Sequence, residues 1–270
     1  MSRIALIAGA GDLPRALVRA LSGQGSGPMV CAPEGVMPEG LAVDTRFRFE
    51  RLVPFLRHLG DSGIRQVVLA GAIHRPIMDP ALFDRETAGL VPGMVAALAG
   101  GDDAALRWVI GVIESFDLEV VGLSDLAPSL LVSGGVLTAR APSVQEAADA
   151  ERGQAILAAM AAVDVGQGCV VASGLCLAIE AVFGTDAMLA DVARHRPTRT
   201  PQTGGVFVKR SKAGQDLRAD LPTIGPATIP AAKAAGLSAI CLQAGHVLVL
   251  DRAAVVAAAD AADMALWAVP

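Results

Sequence analysis

The 270-residue chain has no tyrosine, two tryptophans and 3% aromatic residues in all, and no run of Lys and Arg interleaves with those few rings. At a formal net charge of -5 it lacks the basic, stacking surface that nucleic acid requires, which argues against such a partner. Cysteine is also scarce. Cys31, Cys169, Cys176 and Cys241 stand singly in apolar, strand-like surroundings without CxxC spacing, which argues against a zinc site and reads as buried free thiols in a reducing compartment. The four histidines, at 58, 74, 195 and 246, form neither HxxxH nor HExxH, so the metallohydrolase motifs built on those spacings are absent; only His74, directly after a strand end, has a setting that draws notice. There is no GxSxG nucleophile elbow. No apolar stretch free of charge reaches the roughly 18 residues of a spanning helix. A cytoplasmic protein is expected, one able to touch the inner face of a membrane without crossing it.

What is present is a chain 53% apolar and 18% charged, well outside the regime of disorder and long enough for two domains. "RIALIAGAG" is a β-type run closed by glycines, and "DLPRALVRALSGQG" follows with Pro early and Gly at its end, the order of a helix. "GPMVCAP", "VPFLRHLGDSG" and "IRQVVLAGAI" continue a β-α-β-α-β rhythm. A mainly helical passage follows, in which Asp102 and Asp103 suit a first helical turn, and "LEVVGL" reads as a further strand. After Pro142 and Ser143 comes an Ala-rich helix. "QGCVVASGLCLAIEA" then reads as a hairpin about a Ser-Gly turn, and "GGVFVKR", "SAICLQAG" and "HVLVLD" as strands. "TIPAAKAAGL" and "RAAVVAAADAADMAL" read as helices. The expected architecture is two α/β domains: a Rossmann-like parallel sheet over 1–142, and a mixed-sheet domain over 143–270 that carries the main catalytic motifs.

Four stretches are candidates for chemistry. "GAGDLP", with Gly9, Ala10, Gly11 and Asp12, can cradle phosphate at a helix N-terminus or serve only as a tight turn; Arg15 occupies the place of the third Rossmann glycine and there is no Walker lysine. "AIHRP" offers His74 and Arg75, the latter suited to phosphate. "AIEAVFGTDAML" places Glu180, Thr185 and Asp186 after a strand, where Thr185 or Asp186 serves equally as a helix cap or as a ligand group. "VKRSKAGQDLRADLPTIGP", residues 208–226, gathers Lys209, Arg210, Lys212, Gln215, Asp216, Arg218 and Asp220. Carboxylates four apart share one side of a helical turn or of a strand. Two of them are a usual protein contribution to Mg²⁺ beside substrate phosphates, and the cations suit a phosphoryl group under attack. The alternative is a solvated loop of Asp-Arg pairs.

In their order and spacing "LIAGAGDLP", "GAIHRP", "GGDDAALRWV", "GGVLTARAPS", "DVGQGCVV", "AIEAVFGTDAML", "KAGQDLRADLPTIGP" and "AGHVLVLDR" resemble LpxI-type UDP-2,3-diacylglucosamine pyrophosphatases of lipid A biosynthesis, almost end to end. The resemblance implies a Mg²⁺-dependent hydrolase that converts UDP-2,3-diacylglucosamine to UMP and 2,3-diacylglucosamine 1-phosphate, lipid X, by water attack on the β-phosphorus. It implies Asp216 and Asp220 as metal-binding or water-activating groups. Lys209 and Arg218 join them in catalysis, and Gln215, Thr185, Asp186, Thr223, His74, Arg75 and residues 9–12 contact substrate. A homo-oligomer is compatible with it. Two positions depart from the family pattern: Ala213 replaces a proline, and Ala227 stands where an acidic residue is common. The rival classes are a non-catalytic nucleotide-sugar or lipid-binding protein, and a nicotinamide oxidoreductase using Glu34 after the second strand to hold a ribose.

Overall fold

A computed structural model describes residues 3–22, 27–73, 77–198, 201–212 and 216–270, without the side chains of Arg3 and Asp102. The chain divides into two compact units, one of residues 1–128 with 216–220, the other of 129–215 with 221–270. The domain boundary expected between Pro142 and Ser143 lies inside the second unit. There Ser143 caps a helix: its side chain accepts from the Glu146 N–H, and the Glu146 carboxylate accepts from the Ser143 N–H in return, the reciprocal arrangement that starts helices efficiently.

In the first unit a five-stranded sheet runs in the order β3-β2-β1-β4-β5, from β1 (Arg3–Ala8), β2 (Met29–Pro33), β3 (Thr45–Phe47), β4 (Ile64–Ala70) and β5 (Glu119–Val120). Every neighbouring pair is parallel. Helices α1 (Leu13–Ser22), α2 (Leu52–Asp61), α3 (Arg85–Ala88), α4 (Val91–Ala99), α5 (Asp102–Glu114) and α6 (Leu123–Leu126) join or flank these strands. The core packs Ala5, Ile7 and Val67 of the sheet against Phe55, Leu56 and Leu59 of α2 and Ile110 and Ile113 of α5. Phe47 stacks on Phe55 with ring centroids 4.1 Å apart. Strand order reverses between β1 and β4, and open α/β sheets take ligands at the carboxyl ends of strands beside such a reversal.

The second unit holds a six-stranded mixed sheet in the order β6-β13-β11-β9-β7-β8 and a two-stranded sheet β10-β12. Its strands are β6 (Gly135–Val136), β7 (Gly168–Ala172), β8 (Leu175–Ile179), β9 (Val206–Lys209), β10 (Thr223–Ile224), β11 (Ala239–Gln243), β12 (Leu248–Val249) and β13 (Ala265–Val269). Its helices are α7 (Val144–Met160), α8 (Gly184–His195), α9 (Thr228–Ala234) and α10 (Arg252–Ala261). Alternate residues feed two cores: Val206 and Val208 pack with Ala150 and Leu157 of α7, while Phe207 between them packs with α8, α9 and α10. That is the period-2 signature of a strand covered on both faces.

The expected β7–β8 hairpin is present, turning on Ser173 and Gly174, both at positive φ. The buried Asp149 carboxylate accepts both of their N–H groups at 2.9 and 2.7 Å. Three readings change. The tail of the last expected helix is instead β13, because Met264 to Ala268 are buried without interruption. β3, absent from the sequence reading, is short and holds a sheet edge. Cys176 is exposed, whereas Cys31, Cys169 and Cys241 are buried free thiols whose pKa burial pushes up to about 12. Those three are thiols, not thiolates, at neutral pH. Among the described residues no helix is long and apolar enough to cross a membrane.

Candidate active site

At the carboxyl end of β1 and β4 the two glycine loops interlock. Ala10 and Ala72 exchange backbone hydrogen bonds at 2.8 and 3.0 Å, and the Gly9 N–H donates to the Ala70 carbonyl at 2.8 Å. A Cβ on Gly9 would stand 2.5 Å from the Ala72 oxygen, and one on Gly71, at φ +91°, would stand 2.7 Å from the Ala10 oxygen. Glycine is therefore needed at both places for the loops to approach. The "GAG" and "AGAI" stretches thus lie side by side at the strand-order reversal. Beside them opens a cleft of about 320 Å³ lined by Ala10, Pro33, Glu34, Val36, Phe49 and Ala72. Asp12, exposed at the start of α1, pairs with Arg15, and Glu34, half exposed at the cleft, pairs with Arg48.

Residues 216–220 belong to the first unit although sequence placed them with the second domain. The reason is local: Arg218 Nη1 donates to Glu114 Oε1 on α5 at 2.6 Å, and Ala219 packs on the α2–α5 core. Arg218 also grips Asp216, with Nε to Oδ1 at 3.0 Å, Nη2 to Oδ2 at 2.8 Å, and its own N–H to Oδ1 at 3.1 Å. Those hydrogen bonds, with a further contribution from Arg107, hold the Asp216 carboxyl below its ordinary range, so it is ionised. The Asp220 N–H donates to the Asp216 carbonyl at 3.2 Å, the spacing of one helical turn. Among the described residues no group of three or more His, Cys, Asp or Glu is arranged around a metal position. Two carboxylates are nevertheless what Mg²⁺ commonly takes from a protein beside substrate phosphates. Among the described residues Asp216 Oδ2 accepts one side-chain hydrogen bond, from Arg218 Nη2, so a small hard cation there would share the carboxylate with that guanidinium.

In the second unit the polar residues cluster at one edge of the large sheet. β9 ends there with Lys209, 4% exposed. The antiparallel order β9-β7-β8 brings the end of β8, and Glu180 just beyond it, to the same edge. Lys209 Nζ donates to Glu180 Oε2 at 3.2 Å and to the Thr185 hydroxyl in the first turn of α8, and lies 5.9 Å from the centre of the Phe207 ring. Gly168 makes room, since a Cβ there would come within 2.5 Å of Glu180 Oε2. Asp186 sits exposed in the same helical turn. Thr223, on β10, donates its hydroxyl to the Leu221 carbonyl at 3.1 Å. Beyond Lys209, Lys212 pairs with Asp164, and Ser211 meets Gln243 and His246. The Lys209 ammonium is thus paired with one anionic oxygen, that of Glu180, beside the start of α8.

Residues 3–130 match the family described as the LpxI N-terminal domain, and residues 133–267 the LpxI C-terminal domain. The chain belongs to the LpxI family. A UDP-2,3-diacylglucosamine pyrophosphatase LpxI of Caulobacter vibrioides is 38% identical over 201 residues, 73% of this chain and 72% of that protein. The sequence pointed separately to residues 9–12, to Glu180, Thr185 and Asp186, and to Lys209, Asp216 and Arg218 within 208–226; the structure brings Glu180 and Thr185 to Lys209 and holds Asp216 on Arg218. His74, Arg75 and Gln215 lie outside the described residues. Glu114 and the Ser211, Gln243 and His246 group were not singled out in advance. For Ser211, Gln243 and His246 the ends of β9 and β11 were the one signal, since "VFVKRS" and "ICLQAGH" both run from buried strand into polar residues.

Proposed function

We propose that this chain hydrolyses the pyrophosphate bond of UDP-2,3-diacylglucosamine, giving UMP and 2,3-diacylglucosamine 1-phosphate. The observation that carries the reading is the match of both LpxI domains over nearly the whole chain, with a curated pyrophosphatase at 38% identity. The geometry supports it in three places. The 9–11 loop, with its Gly9 and Ala10 N–H groups spent on the Ala70 and Ala72 carbonyls, lies at the strand-order reversal, where the nucleotide part of such a substrate would bind. Lys209, buried and fixed by Glu180 and Thr185, holds an ammonium in place at the start of α8, which would meet a phosphate oxygen without reorganising. Arg218 holds Asp216 ionised and in one orientation, ready to accept a hydrogen bond from water or to hold a cation.

In this reading Asp216 and Asp220 would hold Mg²⁺. When bound, the ion neutralises charge that develops on the leaving phosphate. Water adds to the β-phosphorus, on the sugar side, and UMP departs. The acyl chains of the substrate place the encounter at a membrane face.

The test is UMP release from UDP-2,3-diacylglucosamine by the purified chain, with Mg²⁺ and with EDTA. Metal-dependent release is expected, with Asp216→Ala and Asp220→Ala each lowering kcat by about 10²-fold or more. Near-normal turnover in both variants refutes their roles. Ala227 is exposed at the start of α9 and carries no cap. Ala227→Asp therefore fits sterically and should stabilise the helix by about 0.3–1 kcal/mol through its dipole. If it also raises turnover, the acidic group common at this position takes part in the reaction. Lipid that extracts with a chain inert in both forms would favour a carrier.

A further inference from the structure

Within the first unit, the carboxyl ends of β2, β1 and β4 lie side by side, about 5 Å apart from strand to strand. The cleft of about 320 Å³ crosses them, from the turn after β2 to Ala10 and Ala72. That volume is at the low end of small-molecule sites, which run from about 300 to 1,000 Å³. It admits one compact part of a ligand. The walls are mainly apolar, with Pro33, Val36 and Phe49 among them, and Phe49 is held edge-on to Phe47 with ring centroids 5.5 Å apart.

Glu34 is the one charged residue among the described residues that line this cleft. The Gly9 and Ala10 N–H groups are spent on the Ala70 and Ala72 carbonyls, so neither offsets a negative charge brought beside Glu34. A phosphate inside would meet a like charge, which is costly. The cleft therefore suits an uncharged part of a ligand, and a carboxylate, which offers two acceptor oxygens, suits a pair of neighbouring hydroxyls.

The turn that bears Glu34 is fixed from several sides. The Glu34 N–H donates to the Phe47 carbonyl at 2.8 Å, and the Val36 N–H to the Pro33 carbonyl at 3.1 Å. Arg46 Nη1 donates to the carbonyls of Pro33 and Val36 at 3.2 and 2.8 Å. Arg48, which lines a neighbouring cleft and not this one, meets Glu34 Oε2, and 46% of the Glu34 side chain stays exposed. The carboxylate is held and still open.

We propose that this cleft takes the nucleoside end of the substrate, with Glu34 accepting hydrogen bonds from the 2′- and 3′-hydroxyls of the ribose; the inference rests on the pyrophosphatase reading. The glucosamine of UDP-2,3-diacylglucosamine carries acyl chains on adjacent positions, for which the cleft has no room. The ribose keeps two adjacent hydroxyls, and its base is a flat ring that suits Phe49. Glu34 thus makes the chain selective for a ribonucleotide. Arg46 and Arg48 are positioning residues, one for the turn and one for the carboxylate.

The readout is the ratio between ribo- and 2′-deoxyribonucleotide. With Mg²⁺, the unsubstituted chain should hydrolyse UDP-2,3-diacylglucosamine with kcat/KM about tenfold or more above that of its 2′-deoxyuridine analogue, because the missing hydrogen bond is one to a charged group. UMP should compete better than dUMP by a similar factor. Glu34→Ala should bring the two substrates within about threefold of each other, the loss falling on KM for the ribonucleotide. A merely structural role would weaken both substrates alike and keep the ratio. Arg48→Met should shrink the ratio, and an unchanged ratio there overturns the positioning role of Arg48. Equal use of both nucleotides by the unsubstituted chain, or a ratio preserved in Glu34→Ala, overturns the role of Glu34 and leaves the pyrophosphatase reading standing. Neither UMP nor dUMP released by the unsubstituted chain overturns both.

Discussion

Lys209→Met is the perturbation that the second unit is least able to absorb. The lysine is 4% exposed and its partner Glu180 has 12% of its side chain exposed. Removing the ammonium takes away the one side-chain hydrogen bond that the Glu180 carboxylate has among the described residues. Removing one member of a buried pair costs about 3–5 kcal/mol, most of it the unpaired charge left behind. At roughly 2–4 °C per kcal/mol for a chain of this size, the transition of the second unit should fall by about 6–20 °C. Methionine matches the stem of lysine, so little of the loss comes from packing. Adding Glu180→Gln removes the stranded charge and should return stability to within about 1–2 kcal/mol of the original. Turnover should not return with it, because the cation offered to phosphate is still missing. The assay is scanning calorimetry with urea unfolding of the unsubstituted chain, both single variants and the double. A Lys209→Met transition within about 2 °C of the unsubstituted chain would refute the reasoning, as would a double variant no more stable than the single.

Two further outcomes follow from groups away from the candidate chemistry. Burial opposes ionisation of Glu146, but hydrogen bonds from Arg140, Ser238 and Ser143 outweigh it and hold the carboxyl at about 2, against an ordinary 4.5. A depressed folded pKa gives stability that is present above about pH 4.5 and lost as pH falls toward 2. That stability amounts to about 3 kcal/mol, and urea midpoints measured from pH 6 to 2 should show Glu146→Gln with a shallower acid dependence. Gly71→Ala forces a Cβ to 2.7 Å from the Ala10 carbonyl at φ +91° and should destabilise the first unit by about 1–3 kcal/mol; unaltered melting would mean the two loops part easily.

Much of the fold was legible because its strands are punctuated. β1, β2 and β4 are apolar runs closed by Gly or Pro, and the Ser173–Gly174 turn sits between two such runs. Of the two-residue strands, β5 and β12 were marked by "LEVVGL" and "HVLVLD", whereas β6 and β10 were not, since they are held by neighbours rather than by their own pattern. β13 failed for another reason: "DMALWAVP" follows an Ala-rich helix with no Gly or Pro to stop it, and Asp263, at φ +54°, ends the helix in place of a glycine. Within the candidate site, residues marked by Gly or by charge were visible in advance. Glu114 was not, because its partner Arg218 lies 104 positions later. Ser211 and Gln243 are ordinary polar residues whose meaning comes from two parallel strands ending side by side.

The membership of residues 216–220 in the first unit has a bearing on synthesis. A ribosome delivers residues 1–128 as one continuous stretch, yet the arginine that satisfies Glu114 is still 90 residues away. At about 5–20 residues per second that is roughly 4–18 s, during which α5 carries an unpaired carboxylate and the core lacks Ala219. The first unit therefore closes late, after most of the second has emerged. A fragment ending at 128 would be a permanent form of that intermediate, and cutting the chain once between 128 and 129 would leave the two units still joined through 215–216 and 220–221.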